Sequence, residues 1–244
     1  MKLRLAFIAA IMAVPAQAET PDPRAMRQAM AEYGNCIVKR EPVRSRDFVL
    51  SGSFMSRRDQ DERALLGIEC MPGEKLIREA IGQKGGTVSR ARLRLPDAVI
   101  RWAIAQSLFD RDAIKLNAAD FSAIPALKYE EPYPVRTTTE DGDPLPEKRI
   151  AEQQRRFDEK AGDVAMAKLG ECVARTDSAA TRAVLVTAID TSEELSALKA
   201  VTPALSKCLP AGQTLKLDRM SLRGSLAVAF YRLASAAQSN GAAS

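Results

Sequence analysis

The sequence predicts an all-α protein, two diverged copies of a small disulfide-closed helical unit joined by a proline-rich linker. Three observations carry this reading. Apolar residues recur at three- and four-residue steps, several sequence blocks occur twice at a similar offset, and the four cysteines fall two to each half.

The repeated blocks come first. Gly34-Asn35-Cys36-Ile37-Val38-Lys39 aligns with Gly170-Glu171-Cys172-Val173-Ala174-Arg175 at an offset of 136, and Arg46-Asp47-Phe48-Val49-Leu50 falls on Arg182-Ala183-Val184-Leu185-Val186. Cys70-Met71-Pro72 matches Cys208-Leu209-Pro210 at 138, each with a glycine shortly after, Gly73 and Gly212. The last block pairs Leu93-Arg94-Leu95, Ile100-Arg101 and Ile104-Ala105 with Leu215-Lys216-Leu217, Leu222-Arg223 and Leu226-Ala227 at 122. The falling offset implies an insertion in the first copy at about 73–91, with Gly82 to Thr87 as its loop. Two copies are too few for a solenoid, which needs several stacked units to bury a continuous core.

In chain order, Lys2 and Arg4 precede an apolar run, Leu5 to Val14, too short to span a bilayer and followed by Pro15 and Ala16-Gln17-Ala18. This pattern predicts a signal peptide over 1–18 with cleavage after Ala18, and a periplasmic or secreted product. Copy one is expected over 19–128, a linker over 129–147, copy two over 148–235 and a disordered tail over 236–244. In copy one Ile100, Ile104 and Leu108 form a helical stripe, with Pro96 suited to the first turn. The linker carries Pro132, Pro134, Pro144 and Pro146 with a run of acids, which forbids a packed helix. Helical character resumes at Lys148, where Ile150, Phe157, Ala161, Val164 and Leu169 lead into Cys172 near a helix end. Leu222, Leu226, Ala229, Phe230 and Leu233 form the final stripe, and Asp218 can cap its helix.

Four cysteines in an exported chain are expected to be oxidised, and the repeat selects Cys36–Cys70 and Cys172–Cys208 among three pairings. A symmetric cross-copy pairing such as Cys36–Cys172 is the alternative. Loops of 34 and 36 residues would each stabilise the fold by about 4 kcal/mol through loop entropy. No Cys-x-x-Cys occurs, so the role is structural rather than redox.

Composition limits the chemistry. The chain has no histidine, which removes the usual general base near neutral pH, the Ser-His and Cys-His pairs, and the commonest zinc ligand. A formal charge of +5 for the whole chain, less once Lys2 and Arg4 are removed, is too small for a nucleic-acid footprint. The alternation of Arg90, Arg92 and Arg94 with Ala91, Leu93 and Leu95 reads as a solvated face opposite a buried one. Glu140, Asp141 and Asp143 lack EF-hand spacing and read as loop acids, so neither a metal nor another cofactor is expected. Ser196 and Lys199 match Ser-x-x-Lys, but Lys-Thr-Gly and Ser-Asp-Asn are absent.

What remains as binding candidates are the shared Arg101 and Arg223, and Trp102, the sole tryptophan, aligned with Gly224. The Gly-x-Cys-Val, Cys-Leu-Pro-x-Gly and Leu-Arg-Gly-Ser-Leu-Ala blocks of the second half resemble uncharacterised exported proteins of alphaproteobacteria, a resemblance that implies a location and no activity. Cys208 to Thr214 also resembles the cysteine-proline-glycine turn of helical periplasmic immunity proteins that block cell-wall amidases. The expectation is a non-enzymatic binding or protein-interaction protein whose partner is an envelope protein, without nucleic acid and without stable membrane insertion after leader removal. The alternatives are an inhibitor or immunity-type protein, and an envelope enzyme using carboxylates or the Ser196/Lys199 pair.

Overall fold

The computed structural model describes residues 22–52, 70, 96–116, 120–209 and 217–241. Among them are eight helices and no strand: α1 (Pro23–Arg40), α2 (Pro42–Ser51), α3 (Asp97–Asp112), α4 (Glu147–Thr176), α5 (Ser178–Val186), α6 (Ser192–Ala200), α7 (Thr202–Cys208) and α8 (Arg219–Gly241). The all-helical class is as the apolar periodicity predicts. The expected leader, the expected insertion at about 73–91 and the arginine strip lie outside the described residues, as do Pro72 and Pro210 to Thr214 of the Cys-x-Pro turns.

Local chemistry sets several helix ends. Asp22 accepts from the Arg24 amide at 2.9 Å, with Pro23 at the first helical position. Asp218 accepts from the Ser221 amide at 2.9 Å, the cap its sequence position suggests. Thr191 caps α6, whose first turn carries Glu193 and Glu194 where the helix dipole favours negative charge. Pro96 sits one step outside its expected place: it precedes α3 with extended backbone, and its carbonyl accepts from Val99 and Ile100.

The core is built on α8. Its stripe residues Leu226, Phe230 and Leu233 are fully buried, but so are the intervening Ala227, Val228, Tyr231 and Ala234. A helix wrapped by α3, α4, α5 and α2 has no solvent face over most of its length, so it is apolar nearly all round rather than amphipathic. Phe230 is clasped edge-on by Phe109 and Phe121 at centroid distances of 5.7 and 5.5 Å. The helix also continues past residue 236, where the sequence suggested a disordered tail. Ala236 and Ala237 pack on the core, and the Gln238 amide donates to the Lys115 carbonyl at 2.6 Å. Alanine's high helix propensity and this anchor carry α8 to Gly241.

The two halves show matched geometry. The disulfides are Cys36–Cys70 and Cys172–Cys208, with Cα separations of 5.5 and 5.8 Å, so the within-half pairing holds and the cross-half alternative does not. In α1, a Cβ on Gly34 would overlap the Ala103 carbonyl of α3. In α4, a Cβ on Gly170 would overlap the Ser225 carbonyl of α8. Both glycines allow two helix backbones to touch. Glu41 between α1 and α2, and Asp177 between α4 and α5, break the helix with similar dihedrals (φ −128°, ψ 61° and φ −150°, ψ 85°).

The segment 130–146 is non-helical, as its prolines require, and holds a tight turn in which Thr139 and Asp143 exchange hydrogen bonds around Gly142. The preceding stretch is tied to α4 by Arg175, which donates to the carbonyls of Phe121, Ile124 and Pro125, and by Glu171, which accepts from the Leu127 amide and the Tyr129 hydroxyl. The chain is thereby turned back along α4.

Candidate functional site

Arg101 and Arg223 are not surface groups. They are 8 % and 6 % exposed, and their guanidiniums are engaged inside the fold. Arg101 donates to the Phe48 carbonyl at 2.5 Å, near the end of α2, and lies over the Phe48 ring at 4.2 Å. Arg223 donates to the carbonyls of Val184, Leu185 and Thr187 at 2.9, 3.1 and 2.8 Å, to Gln106 Oε1 at 3.1 Å and to Glu194 Oε1 at 3.0 Å. These carbonyls lie at helix ends, where intrahelical donors run short, and the arginines add to the donors that Ser51, Thr187 and Gln106 supply. Burial pushes the Arg223 guanidinium below its ordinary pKa, and fully buried Glu194 opposes that shift. The shared arginines therefore hold each half together rather than present a binding surface.

Trp102 packs directly on Gly224, where any Cβ would overlap the indole. Beside it lies a cleft of about 60 Å³ lined by Met30, Ala31, Ile189, Met220 and Gln106, with Arg27 at its edge. Arg27 is held by Asp190 of the α5–α6 loop through its Nε at 2.6 Å. Ligand cavities for small molecules run to about 300 Å³ and above, so this cleft has room only for a short aliphatic group.

Ser196 and Lys199 are exposed on α6, and the Ser196 hydroxyl donates to the Ser192 carbonyl at 2.9 Å, one turn back along its own helix. Glu140, Asp141 and Asp143 are exposed on the linker turn, with Arg136 3.7 Å from Glu140. Among the described residues no group of three or more His, Cys, Asp or Glu side chains is arranged to hold a metal ion.

A larger concavity was not marked by the sequence motifs. Glu130, Glu131, Pro132, Tyr133 and Pro134 form one wall, and Gln153, Arg156, Phe157 and Lys160 of α4 the other, enclosing about 280 Å³. Tyr133 is 83 % exposed, while Phe157 is half-buried. Its walls are joined by Glu131 to Lys168 at 2.8 Å, and by the Arg136 amide donating to Gln153 at 3.1 Å. Arg156 is paired with Glu152 on the same helix. Partial burial lowers the Lys160 ammonium from its usual value and raises the Asp163 carboxyl, one turn on, to about 6. The sequence signal for this groove was present but indirect: an aromatic between two prolines, and a phenylalanine in a stripe whose upper half has little to pack against.

Comparison with known proteins finds no family model, no curated protein and no solved structure that matches the chain.

Proposed function

We propose that the chain is an exported, non-enzymatic interaction protein of the cell envelope that offers the linker–α4 groove to a partner protein. The carrying observation is Tyr133. It is a large, nearly fully exposed ring flanked by Pro132, Pro134 and Phe157 and rimmed by charges of both signs. An apolar centre with a polar rim is how protein interfaces are built, and tyrosine is among the residues that carry most of their affinity. Two disulfides fit a protein outside the reducing cytosol, the first eighteen residues read as a leader, and no described helix is long and apolar enough to cross a membrane. The missing histidines favour binding over catalysis.

The test is capture of envelope proteins under non-reducing conditions by the wild-type chain and by Tyr133→Ser. Because Tyr133 is exposed, its loss should move stability by no more than about 0.5 kcal/mol, so any change reports on binding. The expected outcome is a specifically enriched envelope protein whose capture drops at least tenfold with the variant. Equal capture by both proteins, or nothing enriched above bait-free controls, would remove the groove from the account. Covalent labelling of Ser196 by a serine-reactive probe would overturn the non-enzymatic reading.

A further inference from the structure

Residues of α3 and of the turn that follows it meet residues of α8 at a nearly constant separation along the chain. Trp102 packs on Gly224 and Phe109 on Phe230, while Tyr231 donates to Asp112 at a sequence separation of 119 and Gln238 to Lys115 at 123. Contacts at a fixed offset mean that the two helices run parallel and in register. That offset is also the one at which their sequences align, Ile100 on Leu222 and Ile104 on Leu226, 122 residues apart. Aligned residues therefore face each other, the arrangement a twofold axis between two equal helices produces.

The surroundings follow the same relation. Gly34 of α1 lies on Ala103, and its aligned Gly170 of α4 lies on Ser225, aligned with Ala103. Arg101 closes on Phe48, and its aligned Arg223 closes on Val184, aligned with Phe48. Glu41 and Asp177 are aligned too and break their helices alike.

We infer that the α3–α8 contact is a self-complementary interface between two copies of one unit, paired within a single chain, and that Trp102 and Gly224 are its specificity-determining pair. At the axis, an interface between two identical chains must place like on like, either two indoles in collision or two glycines facing a hole. Joining the copies in one chain frees the two positions to differ, so that one ring fills the space the other side leaves. The partner surface for each unit is the other unit. This concerns assembly of the chain itself and stands or falls separately from the Tyr133 groove.

The experiment is an exchange cycle in the full chain, with urea midpoints for W102G, G224W and W102G/G224W. Each single variant is expected to lower the midpoint, the first by leaving a hole and the second by setting ring against ring. The exchanged pair restores one ring against one glycine and should recover at least half of the summed loss. Additive losses, or an exchanged pair less stable than either single, would overturn the inference. If G224W yields no folded protein, folding of the exchanged pair is itself the expected rescue, and its failure to fold where W102G folds would equally overturn it.

Discussion

Arg101 and Arg223 close the ends of α2 and α5 in the same way but in different surroundings. Both donate to a carbonyl in the last turns of the short helix that follows the interhelical break. Around Arg101 the structure places an aromatic ring, that of Phe48. Around Arg223 it places a buried carboxylate, Glu194, brought in by α6. The common element is the backbone contact. A guanidinium suits this because its fork reaches several acceptors at once and stays charged when buried. The difference between the two surroundings implies different costs of removal.

Arg223→Met should be a severely damaging change. It takes a donor from three carbonyls, of which Val184 keeps Thr187 and Leu185 keeps Gln106, and it leaves Glu194 buried without its charge partner, which costs about 3–5 kcal/mol. Arg101→Met removes, among other contacts, the hydrogen bond to the Phe48 carbonyl and the contact with the Phe48 ring, and should cost at least about 1 kcal/mol. Chemical denaturation of both variants checks the two losses. A loss below about 1 kcal/mol for Arg223→Met would mean that the Glu194 pair adds little to the second site.

The helix-crossing glycines make the next comparison. Gly34→Ala and Gly170→Ala both drive a methyl into a backbone carbonyl, and each should cost about 1–3 kcal/mol with similar magnitude. Gly162, on the same helix as Gly170, has open space around it, so Gly162→Ala should stabilise by up to about 1 kcal/mol. Thermal midpoints of the three variants test whether contact or helix propensity governs each position. Loss at only one of Gly34 and Gly170 would break the parallel between the halves.

Features written in local sequence were legible. The α3 and α8 stripes and the Asp218 cap depend on spacing and short-range chemistry, and the cysteine pairing was readable from the repeated blocks around each cysteine. Features set by distant partners were not. Arg223 reads as a charge on a helix flank, and only the approach of Glu194 and the end of α5 shows that it is interior. The all-round burial of α8 depends on four neighbouring helices, so a single stripe understated it. The Tyr133 groove exists because Arg175 and Glu171 turn the chain back along α4, contacts spanning 42 to 54 residues. Its aromatic residues were visible in the sequence, but their meeting was not.

The weakest expected effect again sets the two halves side by side. Arg27 on α1 and Asp163 on α4 occupy aligned positions with opposite charge. Arg27 is held in an ion pair with Asp190, whereas Asp163 is raised to about 6, by burial first and then by Asp97 and Glu159, against the pull of Lys160. A carboxyl raised in the folded state binds more protons folded than unfolded between about pH 4 and 6, so its contribution to stability falls as pH rises through that window. Solvent reaches this carboxyl and screens it, leaving an effect on the order of 1 kcal/mol. Asp163→Asn should therefore stabilise the protein at pH 7 and leave it nearly unchanged at pH 4, flattening the profile between. Asp112 provides the opposite sign. Its carboxyl is lowered by hydrogen bonds from Arg111 and Tyr231, so it stabilises the fold at neutral pH, and that contribution fades as pH falls below the usual aspartate range. Urea midpoints of Asp163→Asn and Asp112→Asn across pH 3–8 should diverge in direction. If both variants lose stability at pH 7, burial of Asp163 is offset by its Lys160 neighbour more fully than the raised carboxyl implies.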